Sequence, residues 1–536
     1  METGKEKLLQ QMTADGVEYI FGNPGTVEQG ILDELYKYPQ IEYITCLQES
    51  VAVAMADGYA RAKGSPAVVQ LHSGVGLGNG IGMLYQAYRG HSPLIVIAGE
   101  AGIKYEAMDA QMACDLTEMA RPVTKYAARA VHPASLLRLW RRAYKIAMTP
   151  PMGPVFLSLP MDVLDMENTE EVCKTSPIEY RSSPEEEQTD RIARAFADAE
   201  HPVILAGDGV SESKAVKELE RLAKLSGAFV YGVNSSCINI SQDSPYYQGD
   251  LGHMFGRESK KAVENADVVL IVGTYLFPEV FPELNNPFRK DAQVFHIDLD
   301  AYEIAKNHPV TLGICTNPAQ ALQQINDKLE KEACAGRIRK RQNLSACRAE
   351  QMQEQTTAAA FMETLRRLTD ENLIIFDEAL TASGYVTSYL PRSLEGTFFQ
   401  TRGGSLGVGI PGGMGILLAR PKSQAVVFTG DGGSMYTIQA LYTANRYHIP
   451  VKVVICNNRR YHLLDRNLEV YRKEQGILVH EEPESFSLEP VIDFVALARS
   501  MGIDGIAAQT REQAKEAAEK MVCAKDAFVV DLNTVS

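Results

Sequence analysis

The residues with the clearest chemistry lie near the C-terminus, where two apolar segments each end in polar residues. The segment AVVFT runs into Gly430-Asp431-Gly432-Gly433-Ser434, and VKVVICNN ends at Asn457 and Asn458, with an apparent helix over 438–448 between them. A βαβ unit would place both strand ends side by side. A carboxylate and an amide oxygen there suit a hard cation such as Mg²⁺, which takes oxygen ligands and often keeps a phosphate among them. The glycines and the following helix N-terminus would favour a diphosphate.

The elements that must position these residues are short apolar runs separated by helix-length stretches. Such runs predict βα units and parallel sheets covered on both faces by helices. They occur at 66–73, 93–99, 153–159, 202–207, 267–273, 372–377, 424–432 and 451–458. In such sheets ligands bind beyond the carboxyl ends of the strands.

Two polar stretches divide the chain. Residues 164–190 are acidic and without periodicity, and residues 328–356 are highly charged with a helical pattern. They predict three α/β domains of ordinary size at 1–165, 190–330 and 357–536, each a mainly parallel sheet flanked by helices.

The composition excludes several classes of protein. The chain has 536 residues with 53 basic and 68 acidic side chains, a net charge of −15 and a pI near 5.3. A net anion is repelled by nucleic acids and anionic membranes, so neither is expected as a partner. Nine cysteines form no CxxC pair, and no apolar run is long enough to span a bilayer. We expect a cytoplasmic protein.

The GDG and NN pair resembles the thiamine diphosphate-binding motif. The resemblance implies that Mg²⁺ is held by the side chains of Asp431 and Asn458 and by the carbonyl of Arg460. It implies that the cofactor contacts the segment from Gly430 through Gly432 and Gly433 to Ser434.

The N-terminal third carries a second part of this resemblance. The segment IEYITCLQESVAVAMADGYARAKG places Glu49 after an early strand, at the start of a helix. In the family a Glu in this position bonds N1′ of the aminopyrimidine ring and favours the tautomer that removes the thiazolium proton. The motifs FGNPGT and LHSGVGLGNG resemble those of benzoylformate decarboxylases, and they imply that Thr26 holds a substrate carboxylate and that His72 relays protons.

Further matches fall in the last two thirds of the chain. GGSLGVGIPGGMG resembles the segment with the apolar wedge under the cofactor, so Leu406 is the implied wedge and Gly404 a cofactor contact; Thr381 in DEALTAS is a candidate for the diphosphate. The middle third resembles that of acetolactate synthases and decarboxylases. FAD is possible there by analogy, although no motif supports it.

The sequence departs from the decarboxylase pattern at two places. Val280 stands at or near the position of a second catalytic His, and His253 and His296 lie in other contexts. The segment 461–467 (YHLLDRN) and Arg402 replace bulky apolar residues with polar and charged ones, which favours a polar or anionic substrate unless these residues belong to a mobile surface loop.

Three functions are therefore compatible with the sequence. The first is a 2-oxo acid decarboxylase that releases an aldehyde, and the second is a carboligase or C–C lyase resembling acetolactate synthase. The third, a non-catalytic regulatory homologue, is disfavoured by the intact Glu49, Asp431 and Asn458. The family's architecture implies a homodimer or homotetramer with the active site between subunits.

Overall fold

The first parallel sheet is formed by the N-terminal part of the chain. The structure is a computed structural model that describes residues 2–252, 254–277, 279–334, 355–478 and 481–534. The strands of this sheet are β1 (Tyr19–Gly22), β2 (Glu42–Thr45), β3 (Ala67–His72), β4 (Leu94–Glu100), β5 (Tyr126–Arg129) and β6 (Val155–Pro160), in the order β2-β1-β3-β4-β6-β5. The helices around it are α1 (Gly4–Ala14), α2 (Gln29–Glu34), α3 (Glu49–Lys63), α4 (Ser73–Arg89), α5 (Leu116–Ala120), α6 (Leu136–Met148) and α7 (Met161–Asp165). Buried apolar residues such as Trp140 and Leu157 fill the space between helices and sheet.

The second sheet belongs to a separate compact unit. Its strands are β7 (Pro202–Ala206), β8 (Phe229–Val233), β9 (Tyr247–Leu251), β10 (Val268–Val272), β11 (Gln293–Asp298) and β12 (Leu312–Cys315), in the order β12-β11-β10-β7-β8-β9. Its helices are α8 (Glu186–Asp198), α9 (Gly209–Glu212), α10 (Val216–Ser226), α11 (Gly256–Val263) and α12 (Pro318–Cys334). Two apolar clusters cover its two faces, as continuous Val/Ile/Leu strands require.

The third sheet is built from the C-terminal part. Its strands are β13 (Ile374–Glu378), β14 (Phe398–Gln400), β15 (Ala425–Gly430), β16 (Lys452–Asn457), β17 (Asp504–Ala508) and β18 (Phe528–Asn533), in the order β14-β13-β15-β16-β18-β17. Its helices are α13 (Thr357–Leu368), α14 (Ser383–Tyr389), α15 (Gly409–Ala419), α16 (Asp431–Ser434), α17 (Ala440–Arg446), α18 (His462–Gln475), α19 (Phe494–Ser500) and α20 (Arg511–Cys523).

Helices α3 and α15 pack directly against each other within one compact unit, which contains the first sheet and the strands of the third sheet other than β14. A Cβ atom on Gly58 would lie 2.0 Å from the carbonyl oxygen of Gly412, and one on Gly415 would lie 1.9 Å from that of Met55. Both approaches are too close for any side chain. Gly58 in the AMADGYARA segment and Gly415 in the GIPGGMG segment are therefore required by backbone contact between these two helices.

The predicted α/β class with three parallel sheets is confirmed. Each of the eight apolar runs overlaps one strand. The predicted helix over 438–448 is shorter, because α16 and α17 are separated by a turn in which the buried Thr437 hydroxyl donates to the Gly407 carbonyl at 2.6 Å. The domain limits stay predictions, and residues 335–354 of the charged stretch lie outside the described residues. No helix in the described ranges is long and apolar enough to cross a membrane.

Candidate active site

Glu49 lies at the carboxyl edge of the first sheet, as the first residue of α3. It is buried, with 6% of its surface exposed. The Nδ2 group of Asn23, which follows β1, donates to Oε1 at 3.2 Å, and that of Asn79, in the second turn of α4, donates to Oε2 at 3.0 Å. Three elements thus fix the orientation of the carboxylate, and its contact with the aminopyrimidine stays a prediction.

His72 lies at the same edge, as the last residue of β3. Its Nδ1 is 2.8 Å from Oε2 of Glu28, which is buried at the end of a short 3-10 turn that begins at Thr26. The other Glu28 oxygen accepts the backbone N–H of Gly99 in β4, at 2.8 Å. Burial raises the pKa of Glu28, against the opposing effect of these hydrogen bonds.

The FGNPGT turn packs directly on the His72 ring. A Cβ on Gly25 would lie 2.0 Å from Nδ1, so only glycine fits beside the imidazole. Thr26, the next residue, is exposed. The structure therefore brings Thr26, Glu49 and His72 to one sheet edge, while their chemical roles stay predictions.

Asp431 lies at the carboxyl edge of the third sheet, as the first residue of α16. Its carboxylate is 5% exposed, and Oδ1 accepts the N–H of Gly432 at 2.8 Å. Oδ2 accepts the N–H groups of Asn458 at 3.1 Å and Arg459 at 2.6 Å. Burial raises the pKa of Asp431, and a bound cation would offset that cost of burying the charge.

The turn after β16 brings the other predicted metal ligands to Asp431. The Asn458 side-chain oxygen accepts the Arg460 N–H at 3.0 Å, and the Arg460 carbonyl accepts the His462 N–H at 2.8 Å. Arg459 has a φ of 59°, in the left-handed region that favours glycine. The backbone strain at this residue forms part of the tight turn.

The donor set fits a hard divalent cation. It offers a carboxylate, an amide oxygen and a carbonyl, which are ligands that Mg²⁺ takes. In the described ranges no group of three or more His, Cys, Asp or Glu residues could hold a metal ion. Magnesium at Asp431, Asn458 and Arg460 stays a prediction.

The residues of the segment 430–434, which precedes the metal turn, differ in how closely other atoms surround them. Gly430 has open space around it, whereas a Cβ on Gly432 would lie 2.5 Å from the Tyr461 ring, and Gly433 is buried. The Ser434 hydroxyl is buried and donates to the Asp431 carbonyl at 2.8 Å. The Tyr461 ring thus leaves no room for a side chain at Gly432, whether or not this residue also contacts a diphosphate.

The predicted wedge, Leu406, is half-buried and lies directly before a turn anchored by Glu378. Glu378 is buried at the end of β13 and accepts the N–H groups of Gly407, Val408 and Gly409, the last two at 3.1 and 2.8 Å. Burial raises the pKa of Glu378 to about 7.

Two weaker candidates flank the Leu406 turn. Gly404 is exposed and has a φ of 78°, and Thr381 is half-buried in the 3-10 turn Leu380–Ala382. Their contact with a cofactor stays a prediction.

The central domain does not supply a histidine at the compared position. Val280 is 62% exposed there, and His253 lies outside the described residues. His296, inside β11, is buried; its Nε2 lies 2.8 Å from the Thr274 carbonyl oxygen, and its Nδ1 accepts the Ala305 N–H at 3.2 Å. Burial lowers the pKa of His296 to about 4, so it is a neutral structural residue near neutral pH.

The charges proposed for substrate binding are partly engaged elsewhere. Arg460 makes a bidentate pair with Asp465 at 2.6 and 2.8 Å and contacts Glu482 at 3.0 Å. Arg402 packs on Gly90, which follows the last residue of α4. Because α4 has 17 residues and begins directly after His72, its length places Gly90 about 25 Å from His72 of the same chain.

Four functional candidates were not predicted from the sequence. Asn23 and Asn79 lie inside the FGNPGT and LHSGVGLGNG motifs, Glu28 follows the first of these by two residues, and Glu378 lies in DEALTAS. The sequence signal that could have identified these four residues is their position inside or beside the recognised motifs. Their partners were not visible, because each contact joins distant parts of the chain.

Comparison with protein families assigns the chain. Three family models match it: the N-terminal thiamine pyrophosphate-binding domain at residues 2–119, the central domain at 189–325 and the C-terminal thiamine pyrophosphate-binding domain at 381–532. The chain belongs to the thiamine pyrophosphate enzyme family.

The curated relatives are similar over nearly the whole chain. The probable acetolactate synthase large subunit of Methanocaldococcus jannaschii is 28% identical, over 99% of this chain and 91% of that protein. The sulfoacetaldehyde acetyltransferase of Castellaniella defragrans is 26% identical, over 98% of this chain and 91% of that protein.

Solved structures share the architecture. The thiamine diphosphate-dependent 4-hydroxybenzoylformate decarboxylase of Rhodococcus jostii superposes with a TM-score of 0.90 at 25% identity, over 99% of both chains. The benzoylformate decarboxylase of Polynucleobacter necessarius has a TM-score of 0.90 at 23% identity, over 100% of this chain and 99% of that one, and it shows the fold alone.

Proposed function

We propose that this protein is a thiamine diphosphate- and Mg²⁺-dependent enzyme that decarboxylates a 2-oxo acid. One observation carries the proposal: a buried carboxylate, Glu49, and a partly exposed imidazole, His72, lie at the same sheet edge. When bound, thiamine diphosphate supplies the nucleophilic carbon and the electron sink that let a 2-oxo acid lose CO₂.

The residues of the chain would bind and orient this cofactor. Asp431, Asn458 and the Arg460 carbonyl would hold Mg²⁺, and Leu406 would support the rings. Glu49 would hold the aminopyrimidine, with its own orientation set by two amide donors.

The substrate would be handled at the first sheet. The exposed hydroxyl of Thr26 would hold its carboxylate, and His72 would move a proton through Nε2. We further propose a polar or anionic substrate side chain, because the exposed Arg466 follows the metal turn. Arg460 and His462 are less suited to this role, since both lie beside Asp465, at 2.6 and 3.6 Å.

The test is CO₂ release from a panel of 2-oxo acids with Mg²⁺ and thiamine diphosphate present, with identification of each organic product. Aldehyde formation would support the decarboxylase. A failure to bind thiamine diphosphate would overturn the proposal and favour a regulatory homologue.

A carboligase is the second candidate. The exposed Val280 at the position of a decarboxylase histidine favours it, because slower protonation leaves time for a second carbonyl to react. The curated relatives include acetolactate synthases, which supports the same candidate. A hydroxyketone as main product would select it.

We also propose that a second copy of the chain completes the site. Exposed apolar side chains lie close in sequence to both residue clusters. Leu47 and Val75, 50% and 68% exposed, are within three residues of Glu49 and His72, and Tyr436 and Leu464, 56% and 42% exposed, follow α16 and the metal turn. Large exposed apolar groups beside a site are typical of interaction surfaces.

Subunit complementation tests this assembly. Glu49→Gln and Asp431→Ala chains are each expected to be inactive. If each site takes Glu49 from one chain and Asp431 from the other, a mixed and reassembled sample regains about a quarter of wild-type activity. No recovery in verified mixed dimers would show that each site lies within one chain.

A further inference from the structure

A buried carboxylate lies directly behind His72. Glu28 is 1% exposed, and both of its oxygens are used: Oε2 by His72 Nδ1 at 2.8 Å and Oε1 by the Gly99 N–H at 2.8 Å. His72 and Gly99 are paired residues of the neighbouring strands β3 and β4. Glu28 therefore joins two strand ends and is too enclosed to contact a substrate.

The two nitrogens of the His72 ring have different surroundings. Nδ1 is covered by Glu28 and by the Gly25 backbone, where even a methyl group would collide with the ring. Nε2 has no hydrogen-bond partner among the described residues, and the side chain stays 19% exposed. A carboxylate acceptor beside Nδ1 selects the tautomer that carries its proton on Nδ1.

We propose that Glu28 is a positioning residue that fixes this tautomer, so that His72 Nε2 delivers the proton that ends the reaction as an aldehyde. The inference rests on the proposed function. It assigns proton delivery, which a central-domain histidine performs in the decarboxylase pattern, to the Glu28–His72 pair of the first domain. Glu28 then influences whether the product is an aldehyde or a hydroxyketone.

The proton transfer balances without a further reactant. In the charged imidazole, the Nε2–H bond breaks and a C–H bond forms at the carbon that has lost CO₂, whose electron pair takes the proton. Nε2 keeps the electrons of its former bond, the ring becomes neutral, and water returns a proton to Nε2. Glu28 stabilises the positive ring before the transfer through its negative charge.

Carbethoxylation of His72 by diethyl pyrocarbonate tests the tautomer on the full chain without cofactor or substrate. The reagent attacks an unprotonated ring nitrogen, and mass spectrometry of the peptide that contains residue 72 reports the rate. In Glu28→Gln, the Gly99 N–H holds the amide oxygen, so the amide NH₂ faces Nδ1 and moves the ring proton to Nε2. Because Glu28 also favours the charged ring, which does not react, the rates are compared at the alkaline plateau, where the ring is neutral in both proteins. There we expect the rate to fall about tenfold or more.

Two further variants separate positioning from folding. Glu28→Asp keeps a carboxylate for Nδ1 and should fall between the wild type and Glu28→Gln. Glu118→Gln, at a residue whose side chain is 62% exposed on α5, should react like the wild type. Equal losses in Glu28→Asp and Glu28→Gln, or wild-type reactivity in Glu28→Gln, would overturn the proposal.

The product ratio tests the consequence for the reaction. Glu28→Gln should raise the ratio of hydroxyketone to aldehyde severalfold over Glu118→Gln. An unchanged ratio, or a wild type that forms no aldehyde, would overturn the role in proton delivery. Because carbethoxylation needs no turnover, a failure of the proposed decarboxylation would leave the tautomer result readable.

Discussion

The carboxyl edges of the first and second sheets each have a histidine close by, and the two histidines differ in how completely they are bonded. Among the described residues, His72, at the end of β3, has a hydrogen-bond partner at Nδ1 alone, whereas His296, inside β11, uses both nitrogens and is buried. The first edge thus keeps an imidazole nitrogen, Nε2 of His72, that can exchange protons. At the second edge, both nitrogens of His296 hold backbone groups of the same domain in place.

Glycine packing reinforces the difference between the two edges. At the second edge, a Cβ on Gly209 would lie 2.6 Å from the Gly273 Cα, so two loops close directly over the strand ends. At the first edge, the glycine contact is with the Nδ1 side of the His72 ring, and no described residue bonds Nε2. Two similar parallel sheets can therefore differ in chemistry because the histidine near the carboxyl edge of one sheet is fully hydrogen-bonded within its domain and the histidine of the other, among the described residues, is not.

The largest expected effect is at Glu49. Glu49→Gln removes the negative charge and keeps one acceptor oxygen for either Asn23 or Asn79, so turnover should fall about 10³-fold with thiamine diphosphate still bound. Steady-state kinetics and calorimetric titration of the cofactor measure the two quantities. Glu42→Gln, exposed at the start of β2, is the matched control. Near wild-type turnover in Glu49→Gln would remove this residue from the chemistry.

The two histidines should respond in opposite ways to substitution. His72→Ala should lower kcat about 10²-fold with unchanged cofactor affinity. His296→Gln should leave kcat close to that of the wild type, because this side chain bonds only the backbone of its own domain. A large kinetic effect in His296→Gln would break the contrast between the two edges.

The glycine contacts should separate support of the active site from local folding. Gly58→Ala and Gly209→Ala should each lower the free energy of unfolding by about 2 kcal/mol, since both added methyl groups meet backbone atoms. Only Gly58→Ala should also lower turnover, because α3 carries Glu49. Urea unfolding and kinetics measure this, with Gly30→Ala as control, whose nearest neighbour is the flexible Lys5 side chain at 3.4 Å.

The smallest expected effect is a pH dependence of stability at His296. Burial lowers its pKa to about 4, below the value of about 6.5 in an unfolded chain. Between these values the unfolded chain binds a proton that the folded chain excludes, so stability is lost as the pH falls through this window. Between about pH 6.5 and about pH 5.5, unfolding of the wild type should show a loss of about 1 kcal/mol that is absent in His296→Gln. Parallel pH profiles would contradict this account.

The sequence predicted well the features that depend on local patterns. Apolar runs of strand length marked the strands, and the ends of β15 and β16 correctly placed Asp431 beside Asn458. Glu49 was expected at a helix start and begins α3. The roles of these residues in catalysis stay predictions.

The remaining features depend on contacts between distant segments. The partner of His72 is 44 residues away, at Glu28, and a carboxylate at that position gives no local sign of its partner. The saturation of His296 likewise depends on Thr274 and Ala305, which are brought near by the second sheet. Periodicity and motif spacing do not encode such pairings.

The contact between α3 and α15 constrains how the gene could be divided or recombined. Because Gly58 meets Gly412 through backbone atoms, an isolated N-terminal fragment would expose the apolar face of α3, with its small Ala and Gly residues, to water. A chimaera that joins the first domain of one relative to the third domain of another would need glycines at matching positions on both helices. The two domains are therefore expected to be inherited and engineered as a pair.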